Sequence, residues 1–253
     1  MKIAFFDSGM GGLTVLHEAL KLMPNEAYLY FADSNHAPYG TKSSATILAL
    51  VLDAVEFIAT YQPKALVLAC NTATSVAVNT LRQRYDFPII GMEPAIKPAV
   101  ERSNNKKTLV CATDKTLSEN KLQYLIQRLD ANDKVVQCSL QKLVLFAEKR
   151  DWNNPQIQQY LLQQFNNIDW EEFDSIVLGC THFPYFEANI RHLVPTHIRI
   201  LDGIQGTIKQ LQRRITETTA THPSPIDFFI SQQQQTSILF ESYFQRLNQH
   251  DLA

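Results

Sequence analysis

Two cysteines in the sequence each follow a short apolar run that has the length of a β-strand. Cys70 lies in ALVLACNT (Ala65–Thr72) and Cys180 lies in SIVLGCTH (Ser175–His182), so each thiol precedes residues able to form hydrogen bonds. Amides at the start of a following helix would lower the pKa of such a thiol from about 8.5 toward neutrality. If the runs belong to two similar α/β halves, the thiols would face each other across a cleft.

Two opposed thiols suit the inversion of a stereocentre by proton transfer. One thiolate removes a Cα proton from one face of the substrate, and the other thiol delivers a proton to the opposite face. Three other interpretations stay open on spacing alone: a redox disulfide, a metal site, or one nucleophile beside an unrelated core cysteine. Cys111 lies inside a strand-like run and Cys138 follows another, so we expect both to be small buried side chains.

A glycine-rich turn follows the first apolar run. The segment DSGMGG (Asp7–Gly12) stands between a predicted strand and a predicted helix, where glycines allow a tight turn with exposed backbone amides. Either Asp7 and Ser8 simply cap the helix, or Asp7 activates a neighbouring group while Ser8 and the amides bind a carboxylate. The segment matches neither the dinucleotide-binding fingerprint nor the P-loop.

Two further segments carry residue types that could support such a site. DSNHAPYGTK (Asp33–Lys42) is either a plain turn or a rigid loop that offers backbone amides to an anionic ligand. His182 lies close behind Cys180 and could tune proton transfer by bonding the thiol or the ligand. Glu148, in the stretch LVLFAEK, is either a solvated residue at a helix edge or a supporting acid.

Short apolar runs alternate with longer amphipathic segments along the chain. The predicted strands extend from Lys2–Phe6 to Asp227–Ile230, and the predicted helices from Gly12–Met23 to Thr236–Leu247, with one over Thr116–Leu129. Several runs are apolar on both faces, which is typical of parallel strands covered by helices. The sequence therefore predicts an α/β fold, with the polar residues named above at the carboxyl ends of its strands.

The composition argues against several classes of protein. The 253 residues carry 23 Lys and Arg against 25 Asp and Glu, a net charge of −2 that gives no basic field for nucleic acid or membranes. No apolar stretch reaches the roughly 18–20 residues of a membrane span, and the N-terminus does not read as a signal peptide. The four cysteines form no C-x-x-C pair, so we expect free thiols in a reducing cytoplasm and no zinc site.

Seven motifs cover nearly the whole chain in a specific order and spacing: FDSGMGGLTVL, APYGTKS, ACNTAT, GMEPAIKPAV, LVLFAEK, LGCTHFPYF and DGIQGTI. In these motifs the chain resembles the glutamate racemases of the cofactor-independent aspartate/glutamate racemase superfamily. The resemblance implies two similar α/β domains with parallel-rich sheets and an active site in the cleft between them. The first domain would comprise residues 1–93 and 205–253, and the second residues 94–204.

The resemblance also implies a reaction, the reversible conversion of L-glutamate to D-glutamate without pyridoxal phosphate or a metal ion. D-glutamate enters bacterial peptidoglycan synthesis. By this resemblance, Cys70 acts on the D-enantiomer with help from Asp7, and Cys180 acts on the L-enantiomer with help from His182. Glu148 is a further acidic helper. The implied substrate-binding residues are Asp7, Ser8, Pro38, Tyr39, Gly40, Asn71, Thr72, Thr113, Thr181 and His182.

The resemblance leaves several features open. The substrate could instead be another small acid such as aspartate, or the chain could be a binding protein that has lost turnover. Relatives are often homodimers, and some need a peptidoglycan precursor as activator, but the sequence decides neither point. A glutamine run (Gln232–Gln235) stands where the family commonly has Ser-Gly-Asp. We expect a surface loop at Thr216–Pro225, and we expect Ser231–Ala253 to close the first domain.

Overall fold

The structure is a computed structural model that describes residues 1–103, 105–216 and 225–250. Helices flank two β-sheets, which confirms the predicted α/β class. The loop predicted at Thr216–Pro225 lies, apart from its two end residues, outside the described residues. The strands are β1 (Ile3–Asp7), β2 (Tyr28–Ala32), β3 (Ala65–Leu68), β4 (Ile89–Gly91), β5 (Lys107–Ala112), β6 (Val135–Ser139), β7 (Phe173–Leu178), β8 (Arg199–Asp202), β9 (Asp227–Ile230) and β10 (Gln233–Gln235). The helices are α1 (Leu13–Leu22), α2 (Ser44–Ala59), α3 (Asn71–Arg84), α4 (Ile96–Glu101), α5 (Asp114–Ser118), α6 (Asn120–Arg128), α7 (Gln141–Glu148), α8 (Pro155–Phe165), α9 (Glu187–Arg191), α10 (Ile204–Gln212) and α11 (Ile238–His250).

The first sheet has the strand order β10–β9–β2–β1–β3–β4. Its strands run parallel, except that β10 pairs antiparallel with β9 at the edge. Every residue of β1 and β2 is buried, because both faces of these strands are covered, as their apolar sequences predict. The glutamine run at Gln232–Gln235 thus supplies the polar edge strand, which the sequence did not predict.

The second sheet has the strand order β6–β5–β7–β8, and all its neighbouring strands are parallel. The central pair β5 and β7 carries two buried hydroxyl groups, on Thr108 and Ser175. They lie 3.1 Å apart and pair with each other, so neither is left without a hydrogen bond in the apolar sheet.

The polar residues singled out above stand where central strands end. Asp7 is the last residue of β1, and Cys70 follows the adjacent strand β3. In the second sheet, Thr113 follows β5 and Cys180 lies just beyond the adjacent strand β7. The carboxyl ends of the strands in an open α/β sheet are where ligands bind, so each sheet directs its central polar residues toward such a position.

One continuous hydrophobic core joins the two sheets. It contains Phe5 and Tyr30 from the first sheet, Leu178 from the second, and Phe183 and Tyr185 from the turn that follows Cys180. The helix α10 packs against α1, and α11 also contacts α1. The predicted domain boundaries at residues 93, 94, 204 and 205 stay a prediction, because this core contains residues from both predicted domains.

The helices differ from their predicted extents in two places. The helix predicted over Thr116–Leu129 is divided into α5 and α6, because the backbone of Glu119 between them is extended (φ −78°, ψ 137°). The helix α7 was not among the predicted helices, although one interpretation of Glu148 placed that residue at a helix edge. Among the described residues, no helix has both the length and the apolar character needed to cross a membrane.

A stability measurement tests whether the C-terminal helix closes the first sheet. The fully buried ring of Phe240 stacks on Phe228 of β9, with centroids 4.1 Å apart. Removal of this ring should leave a cavity, so we expect Phe240→Ala to lower the free energy of unfolding by about 3–5 kcal/mol. Urea denaturation measures the change. Leu239→Ala, at the exposed neighbouring position, is the control and should change stability by less than about 1 kcal/mol. Equal effects of the two substitutions would contradict the proposed closure.

Candidate active site

The residues at the strand ends of both sheets line one narrow cavity. Its walls include both Cys70 and Cys180, so the two thiols predicted to face each other share a single space. Two predicted residues, Asp7 and Glu148, stand behind this lining and reach it through hydrogen bonds to other side chains. The residues of the wall are Ser8, Pro38, Tyr39, Gly40, Cys70, Asn71, Thr72, Thr113, Gln141, Val144, Cys180, Thr181 and His182.

Cys70 occupies the N-cap position of α3. Its Sγ accepts a hydrogen bond from the backbone N–H of Ala73 (3.4 Å), and the Oγ of Ser8 lies 3.4 Å from the same sulfur. The β3 strand therefore delivers the thiol to a helix start, as the sequence predicts. Ser8, placed by the turn after β1, is the side chain that contacts the thiol.

The expected low pKa of the Cys70 thiol is wrong. Burial, with a smaller contribution from the negative charge of Asp7, raises the pKa of Cys70 to about 12. The hydrogen bonds from Ser8 and from the Ala73 amide lower this pKa, but their effect is smaller than the cost of burying a thiolate. Without a cation nearby, the protein therefore holds this sulfur as a thiol.

Asp7 is fully buried and bridges the two halves of the molecule. Its Oδ1 accepts from the backbone N–H of Gly9 (2.9 Å), and its Oδ2 accepts from the hydroxyl of Thr181 (3.0 Å). Burial raises the pKa of Asp7 from 3.8 to about 6, against the opposing influence of the His182 charge. A carboxyl group with a pKa near neutrality can gain or lose a proton under physiological conditions.

Cys180 belongs to a chain of three side chains. The Nδ1 of His182 lies 3.6 Å from the Cys180 sulfur, and the Nε2 of the same ring lies 2.6 Å from Oε1 of Glu148. The backbone N–H of Met10 also donates to this carboxylate oxygen (2.7 Å). Burial disfavours a charged imidazole, but the bonds to Cys180 and Glu148 outweigh it and raise the pKa of His182 well above its usual value. A protonated His182 can donate to a thiolate and to a carboxylate at once.

Threonine hydroxyls connect the two sheets on another side of the cavity. The Oγ1 of Thr72 lies 3.0 Å from the hydroxyls of both Thr113 and Thr116. Thr116 was not among the predicted residues, because in the sequence it is one polar residue of an amphipathic helix. Beside this group, the side-chain amide of Asn71 is buried, and neither its oxygen nor its nitrogen has a partner in the described part of the chain.

The turn at Pro38–Gly40 is held in place by a hydrogen bond to a buried carboxylate. The hydroxyl of Tyr39 donates to Oδ2 of Asp33 at 2.6 Å, and the hydroxyl of Ser231 donates to Oδ1 of the same carboxylate. Gly40 closes the turn against the second half, where a Cβ would lie 2.3 Å from Oε1 of Gln141. The sequence predicted the turn but missed two residues around it. Asp33 positions the turn through the Tyr39 hydroxyl, and Gln141 faces the turn at Gly40.

The structure thus brings together every residue that the sequence analysis put forward, while their roles stay predictions. Two groups with different chemistry flank the cavity: a thiol with a hydroxyl and a buried carboxyl, and a thiol with an imidazole and a carboxylate. Within residues 1–103, 105–216 and 225–250, no group of three or more His, Cys, Asp or Glu side chains is arranged to hold a metal ion. All four cysteines are buried free thiols.

Comparisons with known proteins agree with this geometry. A family model described as Asp/Glu/Hydantoin racemase matches residues 13–211. A curated glutamate racemase from Halothermothrix orenii is 46% identical over 218 residues, which is 86% of each chain. Among solved structures, a glutamate racemase isoform from Bacillus anthracis superposes with a TM-score of 0.85 at 28% identity, covering 98% of this chain and 94% of the other. Escherichia coli glutamate racemase, solved with L-glutamate and the activator UDP-MurNAc-Ala, gives a TM-score of 0.81 at 29% identity, with coverages of 90% and 88%.

The raised pKa of Asp7 predicts a pH-dependent effect on stability. Between pH 3.8 and 6 the folded chain binds a proton that the unfolded chain has lost, so Asp7 makes the folded state less stable as pH rises through this range. We expect Asp7→Asn to remove a penalty that reaches about 3 kcal/mol at pH 7 and vanishes below pH 4. Urea denaturation between pH 4 and pH 7 measures this stability difference, with Asp86→Asn at an exposed position as the control. A stability difference between Asp7→Asn and the parent chain that does not grow with pH would contradict the assignment.

The chain from Cys180 to Glu148 predicts a titration result. Glu148→Gln removes the carboxylate that favours the charged imidazole, so we expect the pKa of His182 to fall. NMR of the imidazole signals across pH follows this change, and His182→Asn identifies the signal. Glu171→Gln, on an exposed turn, is the matched control. An unchanged His182 titration in Glu148→Gln would show that the carboxylate does not support the charge.

Proposed function

Because the chain belongs to the Asp/Glu/Hydantoin racemase family, we propose that it is a glutamate racemase that interconverts L- and D-glutamate. The observation that carries this proposal is the placement of two buried thiols on one cavity, each beside its own proton-handling group. Glutamate is the proposed substrate because curated relatives that are 46% and 44% identical to this chain are named glutamate racemases. Aspartate is the alternative, to be tested in the same assay.

In this mechanism one sulfur removes the Cα proton and the other returns a proton to the opposite face. Starting from D-glutamate, the Cys70 thiolate takes the proton and the Cys180 thiol delivers one, which leaves Cys70 protonated and Cys180 ionised. Starting from L-glutamate, the two thiols exchange roles. Each turnover inverts the stereocentre and leaves the enzyme in the protonation state required by the product, so no proton is gained or lost overall.

The Cys180 thiolate gains direct support from its neighbours. A protonated His182 donates to the sulfur, and Glu148 holds the ring in position through the other nitrogen. This arrangement resembles the thiolate–imidazolium pairs that activate catalytic cysteines in other proteins. It suits a sulfur that must be ionised when L-glutamate binds.

The Cys70 thiolate depends more strongly on the substrate. With a pKa of about 12 and the Asp7 carboxyl nearby, this sulfur is ionised only when a positive charge enters the cavity. The ammonium group of glutamate supplies that charge. Asp7, whose pKa lies near 6, is the group that accepts and returns the thiol proton during binding.

The cavity also provides the donors that glutamate needs. The substrate has two carboxylates and one ammonium group, so its site must offer many hydrogen bonds in a dry space. We assign this role to the Asn71 amide, to the hydroxyls of Ser8, Thr72 and Thr113, and to the amides of the Pro38–Gly40 turn. Such fixed donors stabilise the charge that develops when Cα loses its proton, and exclusion of water strengthens them. The Thr181 hydroxyl donates to Asp7, so it can only accept a hydrogen bond, for which the substrate ammonium is a suitable donor.

We further propose a cellular setting and partners for the reaction. D-glutamate made by this chain would enter peptidoglycan synthesis in the cytoplasm, where free thiols persist. The two sheets would form two domains, comprising residues 1–93 with 205–253 and residues 94–204, that close on the substrate. A second copy of the chain and a peptidoglycan precursor are proposed partners. Light scattering tests the first, and addition of UDP-MurNAc-Ala to the activity assay tests the second.

Exchange of the Cα proton tests the two-thiol mechanism. Each enantiomer of glutamate is incubated with the chain in D₂O, and the Cα signal is followed by NMR together with optical rotation. We expect deuterium to enter from both enantiomers, and we expect Cys70→Ser and Cys180→Ser each to lower racemisation by about 10²–10⁴-fold. Cys138→Ser makes the same change outside the cavity and should alter the rate by only a few-fold.

Three other outcomes would count against the proposal. Exchange with aspartate but not with glutamate would keep the chemistry and overturn the substrate. Full racemisation by either cysteine variant would overturn the two-base mechanism. Absence of exchange with both acids, even after UDP-MurNAc-Ala is added, would indicate a binding protein.

A further inference from the structure

One polar side chain in the cavity has no role in the mechanism above. Gln141, the first residue of α7, lines the same cavity as Cys70 and Cys180. Its side-chain oxygen and nitrogen are both buried, and neither finds a hydrogen-bond partner within the described part of the chain. Buried amide groups are nearly always paired in folded proteins, so an unpaired carboxamide at a cavity wall indicates a ligand that pairs with it.

Asn71 shares this property and helps to locate the ligand. Among the described residues, Asn71 and Gln141 are the side chains in which both amide atoms are buried without a partner. Asn71 follows Cys70 directly, so its amide lies near the reacting carbon and the groups attached to it. Gln141 belongs to a separate element of the second half, so the two amides belong to opposite halves of the molecule and line the same cavity.

The neighbours of Gln141 place it at the end of the cavity formed by the Pro38–Gly40 turn. A Cβ at Gly40 would lie 2.3 Å from Oε1 of Gln141 and 2.9 Å from the Cβ of Thr113. Glu148, which supports His182 beside the reacting carbon, lies at the opposite end of α7, about 10 Å away along the helix axis. Gln141 is therefore suited to the part of the substrate that extends away from the thiols.

We propose that Nε2 of Gln141 donates a hydrogen bond to the side-chain carboxylate of the substrate and thereby selects its length and charge. This proposal rests on the function proposed above. A carboxamide N–H bonded to a carboxylate is a charge-assisted interaction, and it is stronger than a bond between neutral groups. Because the residue stands at the start of α7, at the Gly40 end of the cavity, a substrate with a shorter side chain would leave its donor unpaired. An unpaired buried donor is the basis of strong discrimination.

Two substitutions of nearly equal size separate hydrogen bonding from packing. Gln141→Met keeps the bulk of the side chain but removes both polar atoms. Gln141→Glu keeps the shape but replaces the donor with a negative charge, which repels a carboxylate and accepts a bond from a neutral amide. We expect Gln141→Met to raise KM for glutamate by about 10- to 100-fold, with a smaller change in kcat. We expect Gln141→Glu to raise it at least as much and to increase kcat/KM for glutamine relative to glutamate.

The matched control is Gln156→Glu, the same change in the exposed first turn of α8. Cα deuterium exchange measures kcat and KM for glutamate and glutamine in all four proteins, and thermal unfolding verifies that each is folded. If the parent chain does not exchange glutamate, the proposed function fails and this inference fails with it. Suppose that the parent chain exchanges glutamate, and that both Gln141 variants keep the parent's KM for glutamate and its preference for glutamate over glutamine. In that case the inference alone is overturned. If one variant does not fold, the other decides by the same criteria.

Discussion

The close approach of a glycine turn to the second half of the molecule is the constraint on which the site depends. A Cβ at Gly9 would lie 2.1 Å from Oε1 of Glu148, and a Cβ at Gly11 would lie 2.4 Å from Oγ1 of Thr181. At both positions any larger residue would collide with side chains of the second half, namely Glu148 at Gly9, and Thr181 and His182 at Gly11. Between the two glycines, the backbone N–H of Met10 donates to Glu148. The first half therefore approaches Glu148, Thr181 and His182 with its backbone, which explains why this turn is rich in glycine.

This close approach has an electrostatic consequence. It brings the fully buried carboxyl group of Asp7 near that of Glu148, and the negative charge of Glu148 adds to the effect of burial in raising the pKa of Asp7. The positive charge of His182 favours the ionised form of Asp7. Asp7 nevertheless keeps a pKa of about 6, because burial is the larger effect. The same desolvation raises the pKa of Cys70, so the protein alone does not prepare this thiolate. A bound cation has to complete the balance of charge, and the substrate in the proposed reaction carries one.

The sequence predicted the parts of this arrangement that follow from strand ends. Apolar runs that finish in a polar residue indicate the carboxyl edge of a parallel sheet, and this rule placed Cys70 and Cys180 on one cavity without any contact being known. Three features lay beyond such reasoning. The predicted low pKa of Cys70 was wrong because burial, which raises it, depends on how the strands and helices of the first sheet pack around the thiol, and no local pattern records that packing. The helix α7 was missed because LVLFA is equally apolar as a strand or a helix. Gln141 was missed for a different reason. A single glutamine in a sequence does not indicate a function until its structural surroundings are known.

The two halves of the site are alike in backbone but different in chemistry. Each thiol follows a central strand, yet Cys70 is supported by the Ser8 hydroxyl and a helix amide, whereas Cys180 is supported by the imidazole of His182. A hydroxyl and an amide stabilise a thiolate weakly, while a charged imidazole stabilises it strongly. The proposed two-thiol mechanism nevertheless requires both sulfurs to act in both protonation states, because the reaction is reversible and the free energies of the two enantiomers are equal. In that mechanism the raised pKa of Cys70 has to be offset by how the substrate is bound. The substrate ammonium would supply on the Cys70 side the positive charge that His182 supplies beside Cys180.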